Sequence, residues 1–187
     1  DELKQLLAST NPTRVILVGD MFTKGNKPEK VWKLIKKWNM EAVMGNHEVK
    51  MLRDYRKSPS TKWSAEMMDW IEALPLWIDE DHFFVVHAGV NPHSREDTTR
   101  STALVVRRWP KDTLNKDQEK NPFWWELYRG DKLIIYGHDA KRKLQDHRPF
   151  TLGLDSGCVY GKKLTGYLLE ENEITQVKAK QAYTGTS

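Results

Sequence analysis

Apolar positions along this chain follow two rhythms, and the alternation between them predicts its elements. Leu3, Leu6 and Leu7 share one face of an opening helix that carries Asp1 and Glu2 in its first turn. After Asn11-Pro12, residues 14–18 form a short β-branched run of the kind that makes a buried strand, and it stops at Gly19-Asp20. A helix is predicted over residues 28–39, with Pro28 in its first turn and Val31, Leu34, Ile35 and Trp38 at helical spacing. Ala42-Val43-Met44 is a second strand, ending at Gly45-Asn46-His47-Glu48, and residues 47 to about 57 are helical. A strand, a helix and a strand in that order make the two strands parallel neighbours.

Residues 58–81 hold a helix bearing Trp63, Met67, Trp70, Ile71 and Leu74, closed by Pro75. The strand Phe83-Phe84-Val85-Val86 ends at His87-Ala88-Gly89, and Leu133-Ile134-Ile135-Tyr136 ends at Gly137-His138-Asp139. Between them, residues 91–131 are polar and aromatic with little period, which reads as a long insertion with short helices. Residues 151–155, 164–169 and 173–177 read as antiparallel strands with Gly-rich turns. One α/β domain over residues 1–178 follows, with residues 179–187 as a flexible tail.

Composition narrows the classes. The 187 residues are 39% apolar with eight Trp, enough for one core. No apolar run approaches the roughly eighteen residues that a membrane span needs. The single cysteine, Cys158, excludes an internal disulfide and a Cys-based zinc site, which fits a reducing, cytoplasmic setting. A net charge of +4 suits a polyanionic partner, or else a slightly basic solvated surface. Trp124, Trp125, Tyr128 and Arg129 place aromatics near a base, either as a packing patch or as an RNA contact.

The chemistry lies at the strand ends. Four strands each stop at a small residue beside a metal-capable side chain: Gly19-Asp20, Gly45-Asn46-His47, His87-Ala88-Gly89 and Gly137-His138. In open α/β sheets the loops past the carboxyl ends of strands converge on one crevice. Carboxylate, amide oxygen and imidazole together suit manganese, iron or zinc. His82, His93 and His147 lack a glycine neighbour at a strand end and read as ordinary histidines. Asp155, before Ser156-Gly157, reads as a turn residue or as support for the site.

The blocks Gly19-Asp20-Met21-Phe22-Thr23-Lys24-Gly25, Gly45-Asn46-His47-Glu48, His87-Ala88-Gly89-Val90 and Tyr136-Gly137-His138-Asp139 resemble the second to fifth motifs of the calcineurin-like phosphoprotein phosphatase superfamily. Gly153-Leu154-Asp155-Ser156-Gly157-Cys158-Val159-Tyr160-Gly161, with Lys163-Leu164-Thr165, is similar to the diadenosine tetraphosphatase branch, especially its ApaH-like phosphatases. Lys24 agrees with the ApaH-like phosphatases, which commonly carry Lys where protein phosphatases and the bacterial tetraphosphatases carry Arg. The resemblance implies a β-sandwich flanked by helices and two divalent ions (Mn, Fe or Zn). It also implies hydrolysis by a metal-held hydroxide of a dinucleoside polyphosphate, inorganic polyphosphate or nucleotide-capped RNA 5′ end. By the same resemblance Asp20 bridges the metals; Asn46, His87 and His138 bind the second metal; and His47 protonates the leaving oxygen. Lys24 holds the phosphate, with Arg107 or its neighbour Arg108.

Two departures qualify that pattern. The family's first motif, Gly-Asp-x-His-Gly, does not precede the opening helix, so the first metal site and the first strand are expected to be incomplete. Thr23 stands where protein phosphatases carry the Asp that orients the catalytic His, so another acid is expected to orient His47, or that pair is unused. The competing readings are a Ser/Thr protein phosphatase and an impaired, polyanion-binding phosphatase fold.

Overall fold

The structure is a computed structural model, and it describes residues 1–58, 63–110 and 120–185. Its elements alternate as the sequence predicts. Helix α1 (Glu2–Thr10) leads to β1 (Ile16–Leu17), α2 (Pro28–Trp38), β2 (Glu41–Ala42), α3 (Asn46–Lys57) and α4 (Ala65–Glu72). Strands β3 (Trp77–Asp79) and β4 (Phe83–Val86) follow, then a short 3-10 turn, α5 (Arg100–Val105), α6 (Trp124–Leu127) and β5 (Leu133–Tyr136). The chain closes with β6 (Gln145–His147), β7 (Thr151–Gly153), β8 (Lys163–Leu168) and β9 (Glu173–Lys178). Part of the expected insertion, residues 111–119, lies outside the described residues.

The central sheet runs β3-β4-β5-β7-β6, while β1 and β2 pair in parallel and β8 and β9 form an antiparallel hairpin. Alternation along β4 and β5 makes the central sheet two-faced. Phe84, Val86, Ile134 and Tyr136 pack with Trp124 and Tyr128, whereas Val85 and Ile135 pack with Val43, Ile16, Val18 and Tyr167. Both faces are covered, which is why these strands read as continuous apolar runs. A separate core joins α2, α3 and α4 through Ile35, Met51, Met67 and Ile71, with Phe22 set edge-on to Trp70 at 6.4 Å. Burying a side chain such as Phe22 fully contributes about 2–3 kcal/mol.

Three expectations change. Residues 151–153 pair antiparallel with β6 but parallel with β5, because the chain crosses over before joining the central sheet. Residues 77–79 form an edge strand that the pattern did not announce. The stretch read as a tail is held down as far as it is described: Ala179 N–H bonds Lys162 O at 2.8 Å, and Lys180 N–H and the Tyr183 hydroxyl both reach Glu2 Oε1, at 2.9 and 2.6 Å. Burial alone would raise the Glu2 carboxyl, but those donors outweigh it and hold it at about 2. The aromatic patch divides likewise. Trp124 and Tyr128 are core residues, and the indole N–H of Trp124 donates to Ala88 O at 3.1 Å.

A candidate metal centre at the strand ends

Four side chains far apart in sequence meet at one point. His87 Nε2 lies 3.0 Å from Asn46 Oδ1 and 3.1 Å from His138 Nδ1, and His138 Nδ1 lies 3.1 Å from Asn46 Oδ1. Asp20 Oδ1 stands 3.5 Å from His87 Nε2. The donor atoms of Asp20, His87 and His138 all fall within 4.8 Å of one another.

Local backbone geometry makes this approach feasible. Gly19 has φ +88°, and a Cβ there would stand 2.7 Å from His87 Nδ1. A Cβ on Gly45 would collide with Asp20 Oδ1. Asp20 and His138 themselves have positive φ (58° and 71°), a costly conformation for residues with side chains and one concentrated at functional sites.

The proton inventory tests whether a cation fits. His87 Nδ1 is 2.7 Å from Val18 O, and a carbonyl only accepts, so Nδ1 carries the proton. With that proton on Nδ1, Nε2 is the acceptor nitrogen of the ring, and it faces the amide oxygen of Asn46, itself an acceptor. Hydrogen bonding alone leaves that pair mutually repulsive, whereas a cation between them satisfies both. Around a cation bound at about 2.1 Å, neighbouring octahedral donors lie about 3.0 Å apart, close to the three distances observed. Burial first, then the positive charges nearby, depress His138 to about 2, so its ring is neutral and ready to ligate. The donor set fits a divalent metal.

Sequence reasoning quoted Glu48 but gave it no part. It is fully buried, and its carboxylate accepts N–H groups from Asp20 (2.7 Å), Met21 (2.8 Å) and Gly45 (3.1 Å). Burial and then the charge of Asp20 raise it to about 7, against the N–H groups of Asp20, Met21 and Glu48 itself. It clamps the Asp20 loop to the start of α3, where Asp20 Oδ1 accepts the His47 N–H at 3.0 Å. A Glu at the third position of a helix opened by Gly45 is the available sequence signal.

His47 sits at the rim with Nε2 3.7 Å from Asp20 Oδ2. Its Nδ1 contacts the hydroxyl of Thr23, so the group against that nitrogen is Thr23 itself, in place of the acid expected elsewhere. Burial, then Lys24 and other cations, lower the His47 pKa, with Asp20 opposing. Lys24 Nζ donates to the Tyr160 hydroxyl at 2.7 Å. Arg107, half exposed, pairs with Asp139 at 3.7 Å, while Arg108 is engaged with Asn121 O and the Phe123 ring. Asp155 accepts the Gly157 N–H at 3.1 Å as a turn residue and is also raised by burial beside the site. His147 stacks on Trp125 and His93 lies edge-on to Trp109, so neither joins the centre.

Asp20, His87 and His138 line one cleft of about 980 Å³, together with Lys24, Arg107 and Tyr160. Its lining carries six cationic residues (Lys24, Arg107, Arg108, Lys141, Arg142 and Lys163) against Asp20, Asp139 and Asp155.

Comparison with known proteins places this arrangement. The family model described as calcineurin-like phosphoesterase matches residues 1–177. The asymmetrical bis(5′-nucleosyl)-tetraphosphatase PrpE of Oceanobacillus iheyensis is 26% identical, over 93% of this chain and 81% of its own. The symmetrical bis(5′-nucleosyl)-tetraphosphatase of Vibrio parahaemolyticus is 30% identical, over 93% and 92%. A crystal structure provisionally assigned as a diadenosine tetraphosphatase superposes with a TM-score of 0.83 at 26% identity, covering 95% of this chain and 87% of that one. A metallophosphoesterase from Sphaerobacter thermophilus, at 14% identity and a TM-score of 0.56, shares the fold. With its strand ends gathered around one set of metal donors and the family model spanning nearly its whole length, the chain belongs to the calcineurin-like phosphoesterase family.

Proposed function

We propose that this chain hydrolyses the phosphoanhydride bonds of a dinucleoside polyphosphate, in preference to inorganic polyphosphate or a nucleotide-capped RNA end. The observation that carries this reading is the cleft, where the metal donors stand among six cationic residues. A chain of phosphates offers the negative charge that such a lining neutralises.

Asn46, His87 and His138, with Asp20, would hold one divalent cation (Mn, Fe or Zn), and Asp20 is the residue that would be shared with a second. Bound cations supply Lewis acidity toward the phosphoryl oxygens and a lowered pKa for water held in the site. Lys24 and Arg107 neutralise charge that spreads over the equatorial oxygens as the bond breaks. Arg107 fills this part because its long pair with Asp139 is readily exchanged for a phosphate, whereas Arg108 is committed to Phe123. His47 delivers a proton to the departing oxygen. The hydroxyl of Thr23 fixes the ring from the Nδ1 side, which leaves Nε2 on the side of Asp20.

The test compares manganese-dependent phosphate or nucleotide release from diadenosine tetraphosphate, tripolyphosphate and a phosphopeptide. Turnover led by the dinucleotide supports the reading. Turnover led by the phosphopeptide replaces it with a protein phosphatase, and none with any substrate removes the enzymatic reading.

A further inference from the structure

Beyond the metal donors the cleft is lined by Phe123, the end ring of an aromatic column that the chemistry above leaves unused. Phe123 lies parallel to Trp125, with centroids 4.9 Å and planes 4° apart, and Trp125 lies on His147 at 4.5 Å and 14°. The guanidinium carbons of Arg108 and Arg142 stand 4.1 and 4.7 Å from the Phe123 centroid. Phe123 and both arginines line the same cleft as Asp20, His87 and His138. Val105 lines it too, and it is one of two exposed large apolar side chains among the described residues.

A bare phosphate chain has no use for this wall. Phosphate binds point charges and N–H donors, and the face of the Phe123 ring supplies neither. Flat rings capped by guanidinium groups are surfaces on which nucleobases stack, whatever their sequence of donors and acceptors. Arg142 is exposed, and its guanidinium lies over the Phe123 ring, an attachment of modest strength that a base can join or replace. A purely structural column would have no need to place two cations over its end ring in the phosphate cleft.

We propose that Phe123, Arg108 and Arg142 form a nucleobase subsite, which takes one base of a nucleoside polyphosphate while the cationic lining holds its phosphates. The proposal rests on the phosphoanhydride reading for its substrate, and it makes the protein discriminate a nucleotide from a bare phosphate chain through binding.

Calorimetric titration tests it with adenosine 5′-tetraphosphate and inorganic tetraphosphate, in calcium, on the wild type, Phe123→Leu and Arg142→Lys. The second variant keeps the charge and removes only the planar group. The wild type is expected to bind the adenosine compound about 5- to 100-fold more tightly, the range of one stacked base. Both variants are expected to lose most of that ratio, with the Kd for inorganic tetraphosphate unchanged within about twofold. Equal affinities in the wild type, undetectable binding of the adenosine compound, or a ratio that survives in both variants overturns the subsite. Hydrolysis of diadenosine tetraphosphate is followed separately: its absence with the binding ratio intact sinks the enzymatic reading and leaves the subsite standing.

Discussion

The inner corner of the site and its rim are held by different means. At the corner, His87 is 1% exposed, its Nδ1 is tied to Val18 O, and Glu48 locks the adjoining loop with three backbone N–H bonds. At the rim, Lys24 rests on the Tyr160 hydroxyl, Arg107 is half exposed on a 3.7 Å ion pair, and His47 touches the hydroxyl of Thr23. Metal ligands tolerate positional error of a few tenths of an ångström, so burial and a full set of hydrogen bonds suit them. Groups that meet a substrate whose charge moves must exchange partners, and solvent-exposed contacts allow that. Rigidity sits where geometry matters and adaptability where charge changes.

This contrast predicts a gradient of effects. Asp20→Asn has the largest: loss of bound metal and of turnover together, read by elemental analysis of the purified protein beside its activity. Unchanged metal stoichiometry would remove Asp20 from the centre. His47→Asn comes next, with turnover lowered about 100- to 10,000-fold while metal content stays intact. If that variant keeps wild-type turnover, His47 is not the proton donor. Glu48→Gln replaces an acceptor oxygen with a donor against backbone N–H groups. It is expected to weaken metal affinity about 10- to 100-fold and to cost about 1–3 kcal/mol of stability, measured by metal titration and urea unfolding. An affinity equal to the wild type would show that the corner does not depend on its buried clamp. Tyr160→Phe has the smallest effect, a rise in KM of about 3- to 10-fold at nearly constant kcat, on the scale of one net hydrogen bond. A fall in kcat alone would mean that Tyr160 acts in the reaction and not by placing Lys24.

How much of this was legible in the sequence follows from the range of each interaction. Asp20, Asn46, His87 and His138 were readable because each follows a short apolar run and has a glycine near it, and strand ends of this architecture converge. The α2 helix was readable from Pro28 and the spacing of Val31, Leu34, Ile35 and Trp38, and its observed span differs from expectation by one residue. The contact of Thr23 with His47 was not readable, because a hydroxyl against an imidazole leaves no spacing signal. Residues 151–153 were readable as antiparallel, as they are to β6, but not as parallel to β5, since that pairing depends on a crossover that no local pattern encodes. The C-terminal stretch reads as polar and loose, yet Tyr183 bonds Glu2, a partner 181 residues away. Phe123 and Arg142 likewise lie in regions without period, and only folding brings both onto one ring.

The central claim is that Asn46, His87 and His138, with Asp20, share one cation. Anomalous diffraction from crystals grown with manganese tests it most directly. The account predicts a peak at roughly 2.0–2.3 Å from Asn46 Oδ1, His87 Nε2 and His138 Nδ1. Crystals that show no peak there, or a peak bound only by other residues, would contradict it.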